Sequence, residues 1–532
     1  MSPESSTKFD VAIIGSGIAC TSSLRKLIEQ LQKKEKPAVP VKIAVIEKDR
    51  EFWTGLPYGC RSSINSLIIT TLGEFIHPGD KKEFINWLET GRQEWMEEIR
   101  KKGGNPGSVW IGNNEGPISE HQWEEVYIPR FLYGNYLLEK IRAGIAAAGQ
   151  QGIATVKLIT AEAIDLIPEE KGPVKDSYTV VLEYKDGSTG SIGSDKVLLA
   201  VGSPPVKSIQ EPAQRTTAGK GAAPSYLYIN DIYAPGLEEN LSTIQSALSA
   251  IPEREKRNIL VMGSNASSLE LLYMINHRND LKDLIHTLCI ISYSGLLPYR
   301  ITPAEHLDYR FEHLLALKEK KKFSSDELIA TIEKDVEIAD RKAMHIGKTY
   351  HQLNDLVFEL QSMLDWDEQK HFSNIHSKRF MKLIRRAGAE YRDAAGELIR
   401  SGQLKMVKGK FLELVAAGDH AVQARYADLP DNKTQLYPLH FAGVVNCGGF
   451  EDLQLSSSRI IANLLARKIC RINSTNRGFE VNEKLEAAPN LFIMGPMLGG
   501  IFNKQLQLWH VENAKRIHTL SLLLAETLAQ NE

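Results

Sequence analysis

Two stretches hold the residue types and spacing from which chemistry can be read. In the first, Gly15, Ser16, Gly17, Ile18 and Ala19 follow directly on the apolar run Val11 to Ile14. Glu47 closes a second apolar run that starts at Val41. A short apolar run bounded by a glycine turn reads as a buried parallel strand, and a helical pattern follows from about Thr21 to Leu31. Strand, glycine turn and helix open a dinucleotide-binding βαβ unit. One glycine permits the tight turn. The next lets backbone approach a pyrophosphate, which sits at a helix N-terminus where free N–H groups and the helix dipole favour anions. Glu47, with Lys48 beside it, stands where a carboxylate accepts hydrogen bonds from the ribose hydroxyls of an adenosine. Cys20 takes the third glycine position, which only requires a residue small enough for close helix–strand packing. The competing reading is an ordinary strand–helix turn that binds nothing.

The second stretch is Asn258 to Glu270, where the apolar strand Ile259 to Met262 runs into Gly263 and then a helix. Asn265 replaces the second glycine. Asparagine is the non-glycine residue that best tolerates positive φ, so the turn is expected to survive. Ser264, Ser267 and Ser268 are candidate hydroxyl donors to phosphate. The next strand, Leu288 to Ile291, ends in Ser292-Tyr293-Ser294, without an acid. An acid there would favour NAD by holding the 2′-hydroxyl. Its absence, with Arg300 downstream, leans towards NADPH, with NADH as the alternative. The competing reading is a vestigial half-site kept for packing.

Four further turns fit around these two. Trp53 to Gly59 reads W-T-G-L-P-Y-G; placed just after the ribose-binding acid, Trp53 and Gly55 can lay backbone along a flavin edge, and a plain surface turn explains them equally well. Lys196 to Pro205 is an apolar strand ending at Gly202, which returns the chain to the cofactor. Phe441 to Phe450 ends at Gly449 and is expected at the junction of two nucleotide domains. Asn490 to Gly500 meets a turn at Gly495-Pro496, followed by a helix from about Lys504 to Ala529. The N-terminus of that helix would face a flavin ring and stabilise negative charge on it.

The elements that must position these turns alternate strand and helix. Helices are expected over Pro78 to Leu88 and Tyr127 to Ile141, with Arg130 more structural than ligand-binding. Short strands from Val156 to Ile192 suggest a β-meander. Residues 303 to about 402 break the rhythm with helices over Phe311 to Lys320, Ser325 to Met344, Tyr350 to Met363 and Glu368 to Ile399. The fold class is therefore α/β: two Rossmann-like dinucleotide-binding domains, the first discontinuous and carrying the meander, plus a helical insertion. The expected boundaries are 1–205 and 441–532 for the FAD-binding domain, 206–310 and 403–440 for the NAD(P)-binding domain, and 311–402 for the insertion. That insertion reads as a cap over substrate or flavin, or equally as an oligomerisation surface.

Composition narrows the class. A chain of 532 residues with 42% hydrophobic and 24% charged residues is ordinary for a protein of two or three domains. A formal net charge of −2 gives no reason to expect nucleic acid or an anionic membrane as partner. No apolar stretch approaches the roughly 20 residues of a membrane span, and a cytoplasmic location is expected. Five cysteines without a C-x-x-C pair argue against a disulfide framework, a zinc site or a redox-active pair; no metal is expected. His77, His306, His376 and His510 are read as structural or surface residues.

The quoted motifs resemble those of two-dinucleotide-binding flavoproteins, and among them FAD/NAD(P)-binding proteins related to N-hydroxylating flavin monooxygenases. G-S-G-I-A-C is similar to the FAD turn. G-L-P-Y-G, H-P-G-D-K-K-E-F-I-N-W-L and Y-I-P-R-F-L-Y-G-N-Y-L resemble further family segments, and G-S-N-A-S-S-L-E resembles the NADPH turn. The likeness covers most of the chain but leaves the helices from 311 to about 365 unplaced. It implies that NADPH reduces FAD, that reduced flavin adds molecular oxygen as a C4a-(hydro)peroxyflavin, and that a small metabolite is oxygenated, at an amine nitrogen for instance. It identifies no catalytic side chain. Two other functions stay open: an FAD-dependent NAD(P)H oxidoreductase or oxidase without oxygen insertion, and a non-enzymatic flavin-binding partner protein. A homo-oligomer is compatible with either reading of the insertion.

Overall fold

In the computed structural model, the described residues are 7–171, 175–209, 226–302, 309–320, 322–418, 421–511 and 513–530. The first sheet contains β1 (Lys8–Ile14), β2 (Val41–Glu47), β3 (Ala154–Thr160), β4 (Glu162–Lys171), β5 (Lys175–Glu183) and β6 (Thr189–Leu199). The apolar run of β1 is buried on both faces because parallel neighbours flank it, with Val11 opposite Ile43 on one side and Ile14 opposite Leu199 on the other. Val156 to Ile159 lies in β3, which pairs in parallel with β2 and so belongs to the main sheet, not to the meander. The meander is the antiparallel run β4–β5–β6, and β6 continues from it into the parallel core.

The second sheet contains β7 (Leu227–Ile229), β8 (Asn258–Met262) and β9 (Thr287–Ser292). A small ribbon of β10 (Tyr299–Arg300) with β11 (Arg386–Ala387) lies beside it. After the helical block come β12 (Leu404–Ala416), β13 (Val422–Asp428), β14 (Thr434–Leu436) and β15 (Gly443–Asn446). The order is β14-β13-β12-β9-β8-β15-β7. The expected boundary at 441 is corrected here: β15 is fully buried between β8 and β7 and so belongs to the second sheet. The chain returns to the first sheet only with β16 (Glu486–Ala488) and β17 (Leu491–Ile493), the latter pairing in parallel with β6. The two crossings between sheets lie side by side. Lys207 N–H donates to Gly449 O at 3.0 Å and Glu451 N–H to Pro205 O at 2.9 Å.

Helices Arg92–Lys102 and Gly104–Ser119 have no counterpart in the sequence reading. The second carries four glycines and an internal proline, a composition that argues against helix. Burial of Trp95, Trp110 and Trp123 in edge-to-face contact overrides that propensity.

The helical block sits within the parallel crossover from β9 to β12. Helices Glu312–Lys318, Ser325–Arg341, Ile346–Met363, Trp366–His371 and Ser377–Leu383 close around a core of their own that includes Leu314, Ile332, Leu353, Phe372 and Phe380. The expected helix over Glu368 to Ile399 is interrupted by a π-helical turn at Phe372–His376 and by β11, before the crossover helix Ala389–Arg400. The expected C-terminal helix starts later than Lys504, at Ala514, with Asn513 Oδ1 accepting from Arg516 N–H at 2.8 Å. The residues before it form a small hairpin of Ile501–Phe502 with Gln507–Leu508. Among the described residues no helix is long and apolar enough to cross a membrane.

Candidate nucleotide-binding sites

Gly15 holds φ +89°, and a Cβ there would lie 2.5 Å from Ala200 O, so only glycine fits between β1 and β6. Gly17 then caps the helix Ile18–Lys33 in extended geometry, with no side chain bonded to the helix N-terminus. The first helical N–H groups lack intrahelical partners by geometry, so this end is free to meet an anion. Cys20 is fully buried, as its packing role requires, and burial pushes its thiol well up. Glu47 faces the same turn: its Oε2 accepts from Ser16 N–H at 2.9 Å and from Ser16 Oγ at 2.8 Å, and its Oε1 accepts from Asp49 N–H at 3.1 Å. A carboxylate offers about four lone-pair sites, which leaves acceptor capacity for hydroxyls. Lys48 is exposed.

The loop after β2 is stitched onto this turn. Trp53, buried and at φ +85°, donates its N–H to Ser16 O at 2.8 Å, and its carbonyl accepts from Thr21 Oγ1 at 2.7 Å. Gly55 then reaches Gly17, where a Cβ on Gly55 would stand 2.9 Å from Gly17 Cα. A plain surface turn needs no such fit. Beyond it opens a cleft of about 360 Å³ lined by Arg50, Phe52, Trp53, Arg142, Val156 and Leu158. At the other end, Gly495, at φ +91° and leading into the turn Pro496–Leu498, lies against Ala19, a Cβ on Gly495 standing 3.3 Å from Ala19 Cβ. Gly202 and Gly449, on the paired crossings, hold φ +79° and +103° with open space where a Cβ would be.

Gly263 repeats the geometry of Gly15, at φ +89° with a would-be Cβ 2.4 Å from Cys447 O. Asn265 departs from expectation. It caps the helix Ala266–His277 at φ −92°, so positive φ is not what the turn asks of it. Its side chain makes no cap bond, and this helix end is also open. Of the three serines, Ser268 is fully buried and donates Oγ–H to Gly263 O at 2.7 Å, which removes it from the phosphate donors. Ser267 is partly exposed beside Tyr233, and Ser264 is buried.

Arg300 is not free for a phosphate. Its guanidinium is bidentate to Asp393 at 2.8 and 2.9 Å. The cations at the second turn are ones the sequence reading passed over. Arg385 donates to Ser264 O within the glycine turn. Lys382 lies 5.8 Å over the ring of Tyr293, just past the end of β9, where the acid is missing. Burial lowers the pKa of both groups, with Lys378 and Arg385 adding to the effect on Lys382. Both lie in what reads as anonymous helix, about 90 residues beyond the strand they serve, so no motif spacing points to them.

Arg130 is structural. Its Nη2 meets Glu270 Oε1 and Oε2 at 2.7 and 2.8 Å, and Tyr233 OH donates to Glu270 Oε2 at 2.8 Å. The pair joins the helix Arg130–Gln150 to the second nucleotide helix. His77 caps the helix Pro78–Thr90. His376 is buried and His510 partly so, and desolvation, with Arg516 and Arg477 nearby, lowers His510 to about 4. His306 lies outside the described residues.

The helical block meets the C-terminal segment past the hairpin that follows the Gly495 turn. Trp509 enters the block's core, stacked on Phe358 with ring centroids 5.3 Å apart and edge-on to Phe380 at 5.4 Å. Arg477 ties the same junction, donating to Trp509 O at 3.0 Å and to Ser377 Oγ at 2.5 Å.

Two mixed sheets with parallel cores, each with a glycine turn feeding an open helix N-terminus, define a two-dinucleotide flavoprotein fold. Residues 12–204 match the FAD-NAD(P)-binding family. Uncharacterized proteins of Mycobacterium tuberculosis and Mycobacterium bovis are 35% identical over 520 residues, covering 98% of this chain and 95% of theirs. The chain belongs with them to a family of FAD/NAD(P)-binding flavoproteins. Its fold is similar to that of a cadaverine monooxygenase of desferrioxamine biosynthesis from Erwinia amylovora, bound to FAD, at TM-score 0.54 and 11% identity, covering 98% of this chain and 94% of that one. It is also similar to an ornithine N-hydroxylase from Kutzneria, at TM-score 0.50 and 13% identity, covering 98% and 99%.

Proposed function

We propose that the chain is an NADPH-dependent, FAD-containing monooxygenase that oxygenates a small metabolite at an amine nitrogen. The observation that carries this reading is the junction at Trp509: a helical block with its own core is anchored to the segment that follows, through a short hairpin, the Gly495-Pro496 turn abutting the first nucleotide helix. A block so placed suits a reaction that must be shielded from water. The fold shared with a cadaverine monooxygenase and an ornithine N-hydroxylase supports the same reading.

Bound FAD supplies hydride acceptance from the nicotinamide and electron transfer to oxygen. The chain supplies binding and orientation. In the turn from Gly15 to Ala19, the N–H groups of Gly15 and Ser16 are spent on Ile46 and Glu47, so Gly17, Ile18 and Ala19 offer theirs to a pyrophosphate; Glu47 accepts from ribose hydroxyls, and Trp53 and Gly55 hold the loop against the turn. Gly263 and the open N-terminus after Asn265 serve the second nucleotide, with Arg385 and Lys382 as the cations for a 2′-phosphate.

The test is NADPH consumption by the purified flavoprotein, with oxygen uptake, peroxide and product measured across small amines. Hydroxylated product matching NADPH consumed is expected for one amine class. Peroxide in full yield with every amine would assign the protein to the oxidases, and no NAD(P)H turnover at all would make it a flavin-binding partner protein.

A further inference from the structure

Asp326, His371 and His376 converge on one point of the helical block, although the sequence spacing hides it. Asp326 stands in the first turn of the helix Ser325–Arg341, and His371 ends the helix Trp366–His371. His376 closes the π-helical turn Phe372–His376, where Ser377 N–H donates to Phe372 O. An i→i+5 hydrogen bond widens the helix by a residue, and such turns are frequent at functional sites. Here it brings two histidines five apart to the same side, ring centroids 5.1 Å apart.

One ligand atom from each of the three residues lies within 4.8 Å of the others. His376 Nε2 is 2.8 Å from Asp326 Oδ1, and His371 Nε2 is 4.0 Å from the same oxygen. His376 is 3% exposed, yet neither ring nitrogen makes a directed hydrogen bond among the described residues. A buried imidazole whose nitrogens lack directed hydrogen bonds is costly. At 2.8 Å without hydrogen-bond direction, Nε2 and the carboxylate are set beside each other as two ligands of a common ion would be. The neighbouring acid Glu368 is already engaged, its Oε2 accepting from Ser325 N–H and Oγ.

We propose that Asp326, His371 and His376 bind one divalent transition-metal ion of the zinc or cobalt class, with water completing its shell. Two imidazoles and one carboxylate suit such ions. Zinc bonds of about 2.0–2.2 Å place tetrahedral ligand atoms roughly 3.3 Å apart, between the two distances seen. Asp326 and His371 are exposed, so the ion enters from solvent and keeps an open position. It would fasten the start of one helix to the segment whose Ser377 is tied to Arg477.

The test uses untagged, full-length protein freed of metal with a chelator and titrated with Zn²⁺ alone, then with Co²⁺ for its visible absorption. One equivalent per chain and a tetrahedral or five-coordinate cobalt spectrum are expected. His371→Ala and Asp326→Asn, both at exposed positions, are expected to weaken binding by about tenfold or more with flavin content unchanged. His313→Gln is the control expected to bind normally: its partner Asp335 lies further along the same helix than Asp326, and His313 is not one of the three converging residues. No saturable binding at one equivalent, or binding that both ligand variants leave unaltered, overturns the site.

Discussion

Gly17 and Gly55 meet backbone to backbone, the second glycine at φ +61° pressing against the first with no room for a methyl group on Gly55. The contact separates two roles that one motif normally merges. Gly17 itself has φ −73°, and a Cβ on it would lie 3.5 Å from Gly55 Cα, an ordinary contact. Its backbone does not require glycine. Gly17→Asp should therefore fold, since an N-cap aspartate suits a helix at least as well as glycine. It should nevertheless lose flavin, because its carboxylate would face the pyrophosphate. Gly15→Asp should instead fail to fold, with a Cβ 2.5 Å from Ala200 O. Flavin absorbance and thermal melting of both variants check this; a fully yellow Gly17→Asp protein would remove the nucleotide role of this turn.

Nucleotide preference should follow Arg385 and leave Arg300 aside. A charge-assisted hydrogen bond to phosphate is worth about 1.5–3 kcal/mol. Arg385→Ala should accordingly lower the ratio of NADPH to NADH efficiency by roughly tenfold to a hundredfold, whereas Arg300→Ala, which only frees Asp393, should leave the ratio unchanged. Steady-state kinetics with both nucleotides decide it.

Arg130→Met should be one of the more damaging single changes in the chain. It strands Glu270, 2% exposed, without its counter-charge, and breaking such a pair costs about 3–5 kcal/mol. The double variant Arg130→Met with Glu270→Met should recover much of that loss. Denaturant titration of the three proteins measures the coupling.

Glu390 gives a pH signature. Burial raises its carboxyl from 4.5 to about 7; the hydrogen bond from Asn114 Nδ2 opposes the rise and the charge of Asp393 adds to it. Between those two values the folded protein holds a proton that the unfolded chain releases, so this group's contribution to stability falls as pH rises from about 4.5 to about 7. Glu390→Gln should flatten that part of the profile and stabilise the protein at pH 8 by about 2 kcal/mol, after discounting for its partial exposure. Melting temperature against pH is the measurement.

Trp509→Ala should loosen the helical block without emptying the first site. Burying tryptophan in a core is worth about 3–5 kcal/mol against alanine, and this one lies in the block's core, not the sheet's. Flavin should stay bound while the peroxide released per NADPH rises. Loss of self-association with unchanged peroxide would favour the interface role instead.

Both nucleotide turns could be read in the sequence because their demands are local. Gly15 and Gly263 need positive φ within a few residues of a strand, and apolar runs announce the strand. Arg385, Lys382 and Trp509 could not be read that way, since each acts on residues far along the chain and none sits in a periodic pattern that marks it. Arg300 misled for the same reason: its position suggested a phosphate, and Asp393, brought by the crossover helix, had already claimed it. The tryptophan-rich helices from 92 to 119 escaped because glycine content speaks for the isolated chain, while burial decides the folded one.

The splice of one sheet into another also fixes an order of assembly. β6 finds its last parallel neighbour in Leu491–Ile493, nearly 300 residues later, whereas every strand of the second sheet has been made once Asn446 is in place. A chain emerging from the ribosome can thus close its inner half first. Until the final residues are made, the edge of β6 stands open to pairing with another strand. Truncation near the C-terminus would leave that edge bare, and the expected result is an aggregating protein whose second sheet is nonetheless intact.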